Sequence, residues 1–196
     1  MEHDKEEKIL RAAEKVFFRK GFFSARMEDI AEEASVAKGT LYLYFKDKTS
    51  IYIHLINHRL DDAINMIGMI NRQKISATEK LERFFDEMAR YFAQAKETTS
   101  FVSIENINLT DELMKKMKGH IKPKMLKSVD LIAQIIESGI KSNEFKKINP
   151  QIAAMYFLHL IPTFLISRVH FVDIKDRNKT IKELFFDGIK DKKESK

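Results

Sequence analysis

The stretch from Met27 to Phe45 constrains the fold most, because it holds two short apolar stripes separated by a break in spacing. The first stripe occupies positions i, i+3, i+4 and i+7, which form one face of a two-turn helix, and consists of Met27, Ile30, Ala31 and Ala34. The segment 35–37 interrupts the spacing, and we expect Val36 to fill the angle between two helices. In the second stripe Leu41 and Phe45 lie four residues apart and therefore share a face. Two short helices around a tight turn form a helix-turn-helix, an arrangement that reads DNA in many proteins.

The second short helix leaves an outer face of unusual composition. The residues on or near that face are hydrogen-bond donors, aromatic rings and small residues: Lys38, Gly39, Thr40, Tyr42, Leu43 and Tyr44. Such side chains approach phosphate oxygens and base edges in DNA complexes. An ordinary pair of packed helices is the alternative, but a purely structural helix would hardly expose two tyrosines beside lysines. The pattern therefore predicts DNA binding.

The distribution of charge supports this prediction better than the net charge does. The chain has a formal net charge of +6, yet residues 1–50 contain ten Lys or Arg and ten Asp or Glu. Residues 35–60 contain four basic residues, three of them lysines at positions 38, 46 and 48, against Asp47 alone. Positive charge thus collects where the second helix would meet phosphate.

Almost the whole chain is predicted to be helical, because it has only three prolines and six glycines and no sustained alternation of apolar and polar residues. The expected helix starts are Asp4 with Glu7, Asp47, Ser76 with Glu79, Thr110, Asn149 with Pro150, and Asp176. We expect Gly21 to end the first helix and Pro123 to break or kink a later one. A short helix is expected over residues 101–109.

These elements predict an all-α fold of about nine helices. A helix-turn-helix DNA-binding domain is expected over residues 1–47, and a helical bundle for ligand binding and dimerisation over residues 48–196.

The N-terminal residues resemble a known family. The likeness is carried by Phe17, Gly21, Phe22, and the segments Asp29 to Ala34 and Val36 to Lys48. Over about residues 5–60 they are similar to the N-terminal domain of TetR-type transcriptional regulators. The chain departs from the family pattern at positions 25, 26 and 37, where Thr or Ser is usual, and at position 35, where Gly is usual.

The resemblance implies roles for individual residues. It places Thr40 and Leu43 against base edges, and Tyr42 and Tyr44 against phosphate or a thymine methyl group. It also implies close backbone approach at Gly39 and phosphate contacts from Lys48 and from Arg26, which stands where the family has a hydroxyl. The residues expected to bind DNA are Arg26, Lys38, Gly39, Thr40, Tyr42, Leu43, Tyr44 and Lys48.

Large apolar side chains recur on several later helices, with few polar groups among them. We predict that they wall a largely apolar effector pocket, lined by Phe84, Met88, Tyr91, Phe92, Phe101, Met114, Met117, Tyr156 and His159. The plainer interpretation is that most of this series is ordinary core. The family resemblance favours the pocket and implies a small-molecule effector, expected to be hydrophobic, that releases the DNA.

The last two long helices carry more apolar surface than one bundle can bury, which predicts a homodimer interface. Its expected residues are Phe157, Phe164, Leu165, Arg168, Leu184 and Phe185. A dimer reads two half-sites about one helical turn apart, whereas one small domain makes too few contacts for a specific site.

Several other classes of protein are disfavoured by the residues present. The chain has no cysteine, and its charged start lacks the apolar run of a signal peptide, so we expect a cytoplasmic protein without disulfides. The run from Ile152 to Ile166 is shorter than the roughly 20 residues of a bilayer span, so we expect no membrane association. His54 and His58 have a metal-binding spacing without a third ligand, and no nucleophile stands beside a base. We therefore expect no metal, no cofactor and no enzymatic activity.

The sequence thus predicts a ligand-responsive transcriptional repressor that binds a palindromic double-stranded DNA operator as a homodimer. The alternative is a TetR-like DNA-binding or partner-recruiting adaptor without small-molecule control.

Overall fold

The computed structural model describes residues 2–94, 111–170 and 176–190, and this part of the chain forms eight α-helices. The helices are α1 (Glu2–Ser24), α2 (Met27–Glu33), α3 (Lys38–Tyr44), α4 (Lys48–Asn71), α5 (Ala77–Gln94), α6 (Asp111–Lys141), α7 (Pro150–His170) and α8 (Arg177–Ile189). An isolated antiparallel bridge joins Phe145 to Lys190. The all-α prediction is confirmed. The short helix expected over residues 101–109 and the cap expected at Thr110 lie outside the described residues.

Three of the predicted helix starts are confirmed by cap hydrogen bonds. Asp47 caps α4, because its Oδ1 accepts the backbone N–H of Ser50 at 2.6 Å. Ser76 and Glu79 form a complete capping box on α5, with Glu79 N to Ser76 Oγ at 3.1 Å and Ser76 N to Glu79 Oε2 at 3.0 Å. Asn149 Oδ1 accepts the N–H of Ile152 at 3.0 Å at the start of α7.

One of the other two predicted starts fails, and the second is confirmed in position but lacks the expected side-chain cap. Helix α1 already begins at Glu2, so Asp4 lies inside the helix and does not cap it. Asp176 precedes α8 in a left-handed conformation, with φ 60°, and makes no side-chain cap hydrogen bond. The predicted stop at Gly21 is confirmed, because its φ of 72° and ψ of 161° interrupt the helical conformation within α1. A residue with a Cβ would be strained there.

Helix α6 runs for 31 residues through Pro123, so the proline does not break the helix, and the alternative of a kink stays a prediction. A proline inside a helix costs ~3 kcal/mol through a lost hydrogen bond and a steric clash. That cost is offset by the side chains that α6 buries on both sides of the proline, including Ile121, Ile132 and Ile136.

The chain divides into two compact units. Among the described residues, the first comprises 2–60 and 111–123, and the second comprises 61–94, 124–170 and 176–190. The sequence placed a domain boundary between residues 47 and 48, where α4 starts, whereas the compact units assign α4 residues up to Leu60 to the first unit.

Aromatic packing fixes the core of the first unit. Phe22 lies between Phe17 and Tyr52, with ring centroids 5.5 and 5.0 Å away. Burial raises the pKa of the Tyr52 phenol well above its usual range. Around these rings α1, α2, α3 and α4 bury the apolar stripes expected from the sequence, including Ile30 and Leu41.

The second unit is held by packing of α5, α7 and α8. The rings of Phe157 and Phe185 lie 4.9 Å apart, and Phe84 approaches Phe157 at 6.2 Å. An ion pair between Lys182 Nζ and Asp86 Oδ1 at 2.9 Å joins α8 to α5 beside this cluster. In the described part of the chain, no helix combines the length and the apolar character that a bilayer crossing requires.

Candidate nucleic-acid interface

Helix α3 has one side buried in the core and the other side exposed to solvent. Leu41 is fully buried, while Leu43 is 85% and Tyr42 is 45% exposed. Single exposed apolar side chains are common on protein surfaces, and this one leaves Leu43 available for contact with another molecule.

The remaining α3 residues of the predicted interface surround this exposed pair. Lys38 and Gly39 are exposed, and Thr40 and Tyr44 are half-buried. A Cβ at Gly39 would meet no atom within 4 Å, so packing inside the chain does not require glycine there. The structure therefore leaves room for close approach of the α3 backbone to an external surface.

The turn between α2 and α3 is fixed by backbone hydrogen bonds. Ser35 adopts φ 51°, and the N–H of Val36 donates to the carbonyl of Ala31 at 3.0 Å. This left-handed position is where the family pattern has glycine. At the opposite end of α2, Asp29 Oδ2 accepts the backbone N–H of Arg26 at 2.9 Å, and Arg26 is exposed.

Carboxylates of α2 pair with basic side chains of α1. Lys20 Nζ lies 2.8 Å from Asp29 Oδ1, and Arg19 Nη2 lies 2.6 Å from Glu33 Oε2. The hydrogen bond from Lys20 lowers the pKa of the Asp29 carboxyl, and that from Arg19 lowers the pKa of Glu33. These pairs hold α2 on α1, and each of the two cations already has a carboxylate partner within the chain.

Lys38 is also paired, in this case across the two helices of the motif. Its amine forms an ion pair with the Glu28 carboxylate of α2, and its Nζ lies 6.0 Å from the centroid of the Tyr42 ring. The hydrogen bond lowers the pKa of Glu28 and raises the pKa of Lys38. The sequence pattern indicates Lys38 but not its partner Glu28, which lies ten positions earlier in the chain on a different helix.

The structure gives Lys48 a role that the sequence did not predict. Its Nζ donates to the carbonyl oxygens of Phe22, Phe23 and Ala25 at 2.8, 2.7 and 3.0 Å. These carbonyls follow the interruption at Gly21, at the end of α1, where backbone acceptors lack helical partners. Three bonds use all three N–H donors of an ammonium group, so a phosphate contact from Lys48 would require one of them to break.

Five of the nine side chains expected to line an effector pocket are described by the structure, and four are not. In the second unit Phe84 is buried and Met88 is half-buried, whereas Tyr91, Tyr156 and His159 are exposed. The side chains of Phe92, Phe101, Met114 and Met117 lie outside the described residues. The pocket therefore stays a prediction.

The expected dimer residues also divide. Phe157 and Phe185 are 1% and 2% exposed and pack on each other, so they belong to the core of one chain and have no free surface for a partner. Leu184, in contrast, is 72% exposed. The side chains of Phe164, Leu165 and Arg168 lie outside the described residues. The apolar spacing of a helix cannot distinguish a face buried in the core from a face that binds a partner subunit, because both use the same residue types.

Helix α7 carries an exposed face whose residues were not among the expected dimer residues. Ile152, Met155, Tyr156 and His159 follow the spacing i, i+3, i+4 and i+7, and all four are exposed. Tyr156 stacks on Phe185 at 6.2 Å, which connects this face to the part of α8 that carries Leu184.

The two histidines of α4 do not assemble a metal site in the part of the chain that the structure describes. His54 Nε2 lies 3.2 Å from Glu6 Oε1 of α1, which makes a helix-to-helix contact. Within the described residues, no group of three or more His, Cys, Asp or Glu side chains comes together as metal ligands would.

Comparison with known proteins agrees with this geometry. Residues 9–55 match the family model for bacterial regulatory proteins of the tetR family, and residues 74–163 match the model for the tetracyclin repressor-like C-terminal domain. The fatty acid metabolism regulator protein of Bacillus subtilis is 29% identical over 143 residues, covering 71% of this chain and 70% of that protein. The uncharacterized HTH-type transcriptional regulator YfiR, also from Bacillus subtilis, is 24% identical over 85% of this chain and 81% of its own.

Two solved structures are similar along nearly the whole chain. The transcriptional regulator FadR from Bacillus subtilis, in complex with stearoyl-CoA, has a TM-score of 0.78 at 24% identity and covers 93% of this chain and 98% of its own. AibR, in complex with isovaleryl coenzyme A and operator DNA, has a TM-score of 0.71 at 16% identity and covers 93% of this chain and 96% of its own.

Proposed function

Because the chain belongs to the TetR family of bacterial transcriptional regulators and is a DNA-binding regulator, not an enzyme, we propose that it is a repressor controlled by a fatty acyl-CoA. In this proposal a cytoplasmic homodimer occupies a two-fold symmetric operator. Binding of the acyl-CoA to the C-terminal helical region releases it.

The exposed outer face of α3 is the observation that carries the DNA half of the proposal. Leu43 and Tyr42 project from a seven-residue helix whose inner residue Leu41 is fully buried. A helix presented in this way fits the major groove of B-DNA, about 12 Å wide, where base edges are readable. We assign Thr40 and Leu43 to base edges, and Lys38, Tyr42, Tyr44 and Arg26 to phosphate or thymine methyl contacts.

Three matches support the effector class. The fatty acid metabolism regulator of Bacillus subtilis is 29% identical over its matched residues, against 24% for YfiR, and FadR is solved with stearoyl-CoA. AibR binds a short branched acyl group on the same carrier. The carrier is therefore common to both complexes while the acyl length differs. We choose a long-chain acyl group because the FadR structure is more similar to this chain, at TM-score 0.78 against 0.71.

The exposed stripe of α7 supports the homodimer. Ile152, Met155 and Tyr156 present contiguous apolar surface, and Leu184 of α8 adds to it. Burial of such surface contributes about 25 cal/mol per Å², which favours association of two copies. A two-fold axis through this face would pair the same residues of both subunits.

Release requires only that the acyl-CoA binds one conformation of the dimer more tightly than the other. A coupling of ~1–3 kcal/mol would weaken operator binding by about 5- to 150-fold.

The test begins with an operator selected by the purified protein from a random-sequence duplex library. Fluorescence anisotropy then measures its binding with stearoyl-CoA, with isovaleryl-CoA, and with free coenzyme A and stearate as controls. We expect the selected site to be two-fold symmetric. Stearoyl-CoA should abolish binding to this site, whereas isovaleryl-CoA, free coenzyme A and stearate should not. Release by neither acyl-CoA, with intact operator binding, would contradict the effector and favour the adaptor alternative. Failure to select any sequence would contradict the operator half.

A further inference from the structure

We propose that Glu28 is a built-in competitor of DNA, which holds Lys38 in the unbound protein and must give it up to a phosphate when DNA binds. Lys38 is the first residue of α3, and Glu28 is the second residue of α2. The two side chains form an ion pair across the helix-turn-helix, and each is more than half exposed.

The position of this pair distinguishes it from the other ion pairs of the motif. Asp29 and Glu33 pair with basic residues of α1, and those pairs lie between helices that stay packed. The Glu28 pair instead includes a cation of the exposed helix, and that cation lies 6.0 Å from the Tyr42 ring. A carboxylate on such a surface is unfavourable for binding a polyanion, because it repels phosphate and neutralises a nearby lysine.

The exchange of partners has a measurable consequence for salt dependence. A lysine that neutralises one phosphate releases about 0.9 counterions from B-DNA. If that lysine first leaves a carboxylate, the freed carboxylate takes up a cation, which offsets part of the release. The wild-type protein should therefore bind less tightly, and with a shallower dependence on salt, than a protein without the Glu28 charge.

Glu28→Gln removes the charge and keeps the shape, and Glu32→Gln is its matched control. Glu32 lies four residues later on α2 and is exposed on the same side of the helix, but Lys38 pairs with Glu28. Lys38→Gln, alone and with each glutamate variant, completes a double-mutant cycle. All of these side chains are exposed, so thermal melting should show the same folded protein throughout.

The measurement is anisotropy of a labelled 30-base-pair random-sequence duplex, and of a duplex selected by the wild type, over a series of KCl concentrations. For each subunit that contacts DNA, we expect Glu28→Gln to tighten binding to both duplexes by about 1.5- to 5-fold, the range of an exposed ion pair. The slope of log K against log salt should steepen by up to about one ion per subunit. In the Lys38→Gln background, Glu28→Gln should change affinity no more than Glu32→Gln does.

Three outcomes would overturn the proposal. Equal effects of Glu28→Gln and Glu32→Gln in both backgrounds would reduce Glu28 to a general surface charge. Weaker binding by Glu28→Gln would mean that Glu28 positions Lys38 for DNA and does not compete for it. A gain confined to the selected duplex would mean that Lys38 is transferred to a base and not to a phosphate.

Discussion

The side-chain amine of Lys48 donates a 2.7 Å hydrogen bond to the carbonyl oxygen of Phe23. Its two further bonds to Phe22 and Ala25 make Lys48 a cap on the end of α1, although it is itself the first residue of α4. Its Nζ also lies 4.9 Å from the Phe22 ring centroid. A positive charge at a helix C-terminus is favourable, and partial burial lowers the pKa of the Lys48 amine. The residue therefore fixes the start of α4 to the end of α1.

Lys48→Met should destabilise the protein, because it leaves three backbone carbonyls without a donor while keeping the aliphatic stem. We expect the free energy of unfolding in urea to fall by ~1–3 kcal/mol. Lys46→Met is the control, since Lys46 is exposed and only two residues away. It should leave the unfolding midpoint unchanged. The salt slope of DNA binding should be the same in Lys48→Met and the wild type. A slope lower by about one ion per subunit would instead show that Lys48 contacts phosphate.

Gly139→Ala should destabilise the second unit. A Cβ at this position would lie 2.9 Å from Ala77 Cβ and still closer to the ring of Phe145, which is buried. Such overpacking costs ~1–3 kcal/mol. Gly188→Ala is the matched control, because a Cβ in α8 would meet no atom within 4 Å. That change should raise the free energy of unfolding by up to ~1 kcal/mol through helix propensity. Equal effects of the two substitutions would contradict the packing explanation.

The helices and the outer face of α3 were predictable because they depend on local signals. The stripe of Leu41 and Phe45 and the caps at Asp47 and Ser76 are each recognisable within a few residues of sequence. The roles that the sequence did not reveal depend on partners distant in the chain. Lys48 lies at least 23 positions from the carbonyls it binds, and nothing near position 48 indicates them.

The burial of Phe185 shows the same limit. Its apolar character correctly indicated that one face of α8 is buried, but the side chain packs against Phe157 of its own chain and not against a partner. Its neighbour Leu184 is exposed, although both side chains are large and apolar and their residue types do not distinguish them. Only the rotation of α8 against α7 separates a core residue from a candidate interface residue.

The pH dependence of stability should reveal Glu144 as a cap on a distant helix. Its Oε1 and Oε2 accept the backbone N–H groups of Ala77 and Thr78 at 3.1 and 3.0 Å, at the start of α5. Burial by itself raises the pKa of the Glu144 carboxyl, but the hydrogen bonds from Thr78 and Ala77 outweigh it, so the net pKa is lowered.

A carboxyl with a lowered pKa in the folded state stabilises the protein above its unfolded pKa of about 4.3. This contribution is lost as the pH falls below that value. Glu144→Gln should cost about 1 kcal/mol at pH 7, as loss of a helix cap does. The difference from wild type should shrink in urea titrations carried out below about pH 4. A difference that stays constant from pH 7 to pH 3 would argue against the charged cap.

Tyr42→Ala should weaken DNA binding without changing stability, because Tyr42 is 45% exposed on α3. Loss of one phosphate or methyl contact should cost ~1 kcal/mol, or about fivefold in affinity for a selected duplex. Phe23→Ala is the control, since Phe23 is also an exposed aromatic residue of the first unit but lies outside α3. Wild-type affinity in Tyr42→Ala would remove this residue from the interface.

Two substitutions should separate the dimer face from the core beside it. Met155→Asp puts a charge on the exposed stripe of α7, where it is hydrated in a monomer but would be buried unpaired in a dimer. We expect a folded monomer by light scattering, with the helical content of the wild type and loss of high-affinity operator binding. Phe185→Asp should instead unfold the second unit, because Phe185 is 2% exposed and lies among the rings of Tyr156, Phe157 and Phe186. A Met155→Asp protein that stays dimeric at low micromolar concentration would place the interface on another surface.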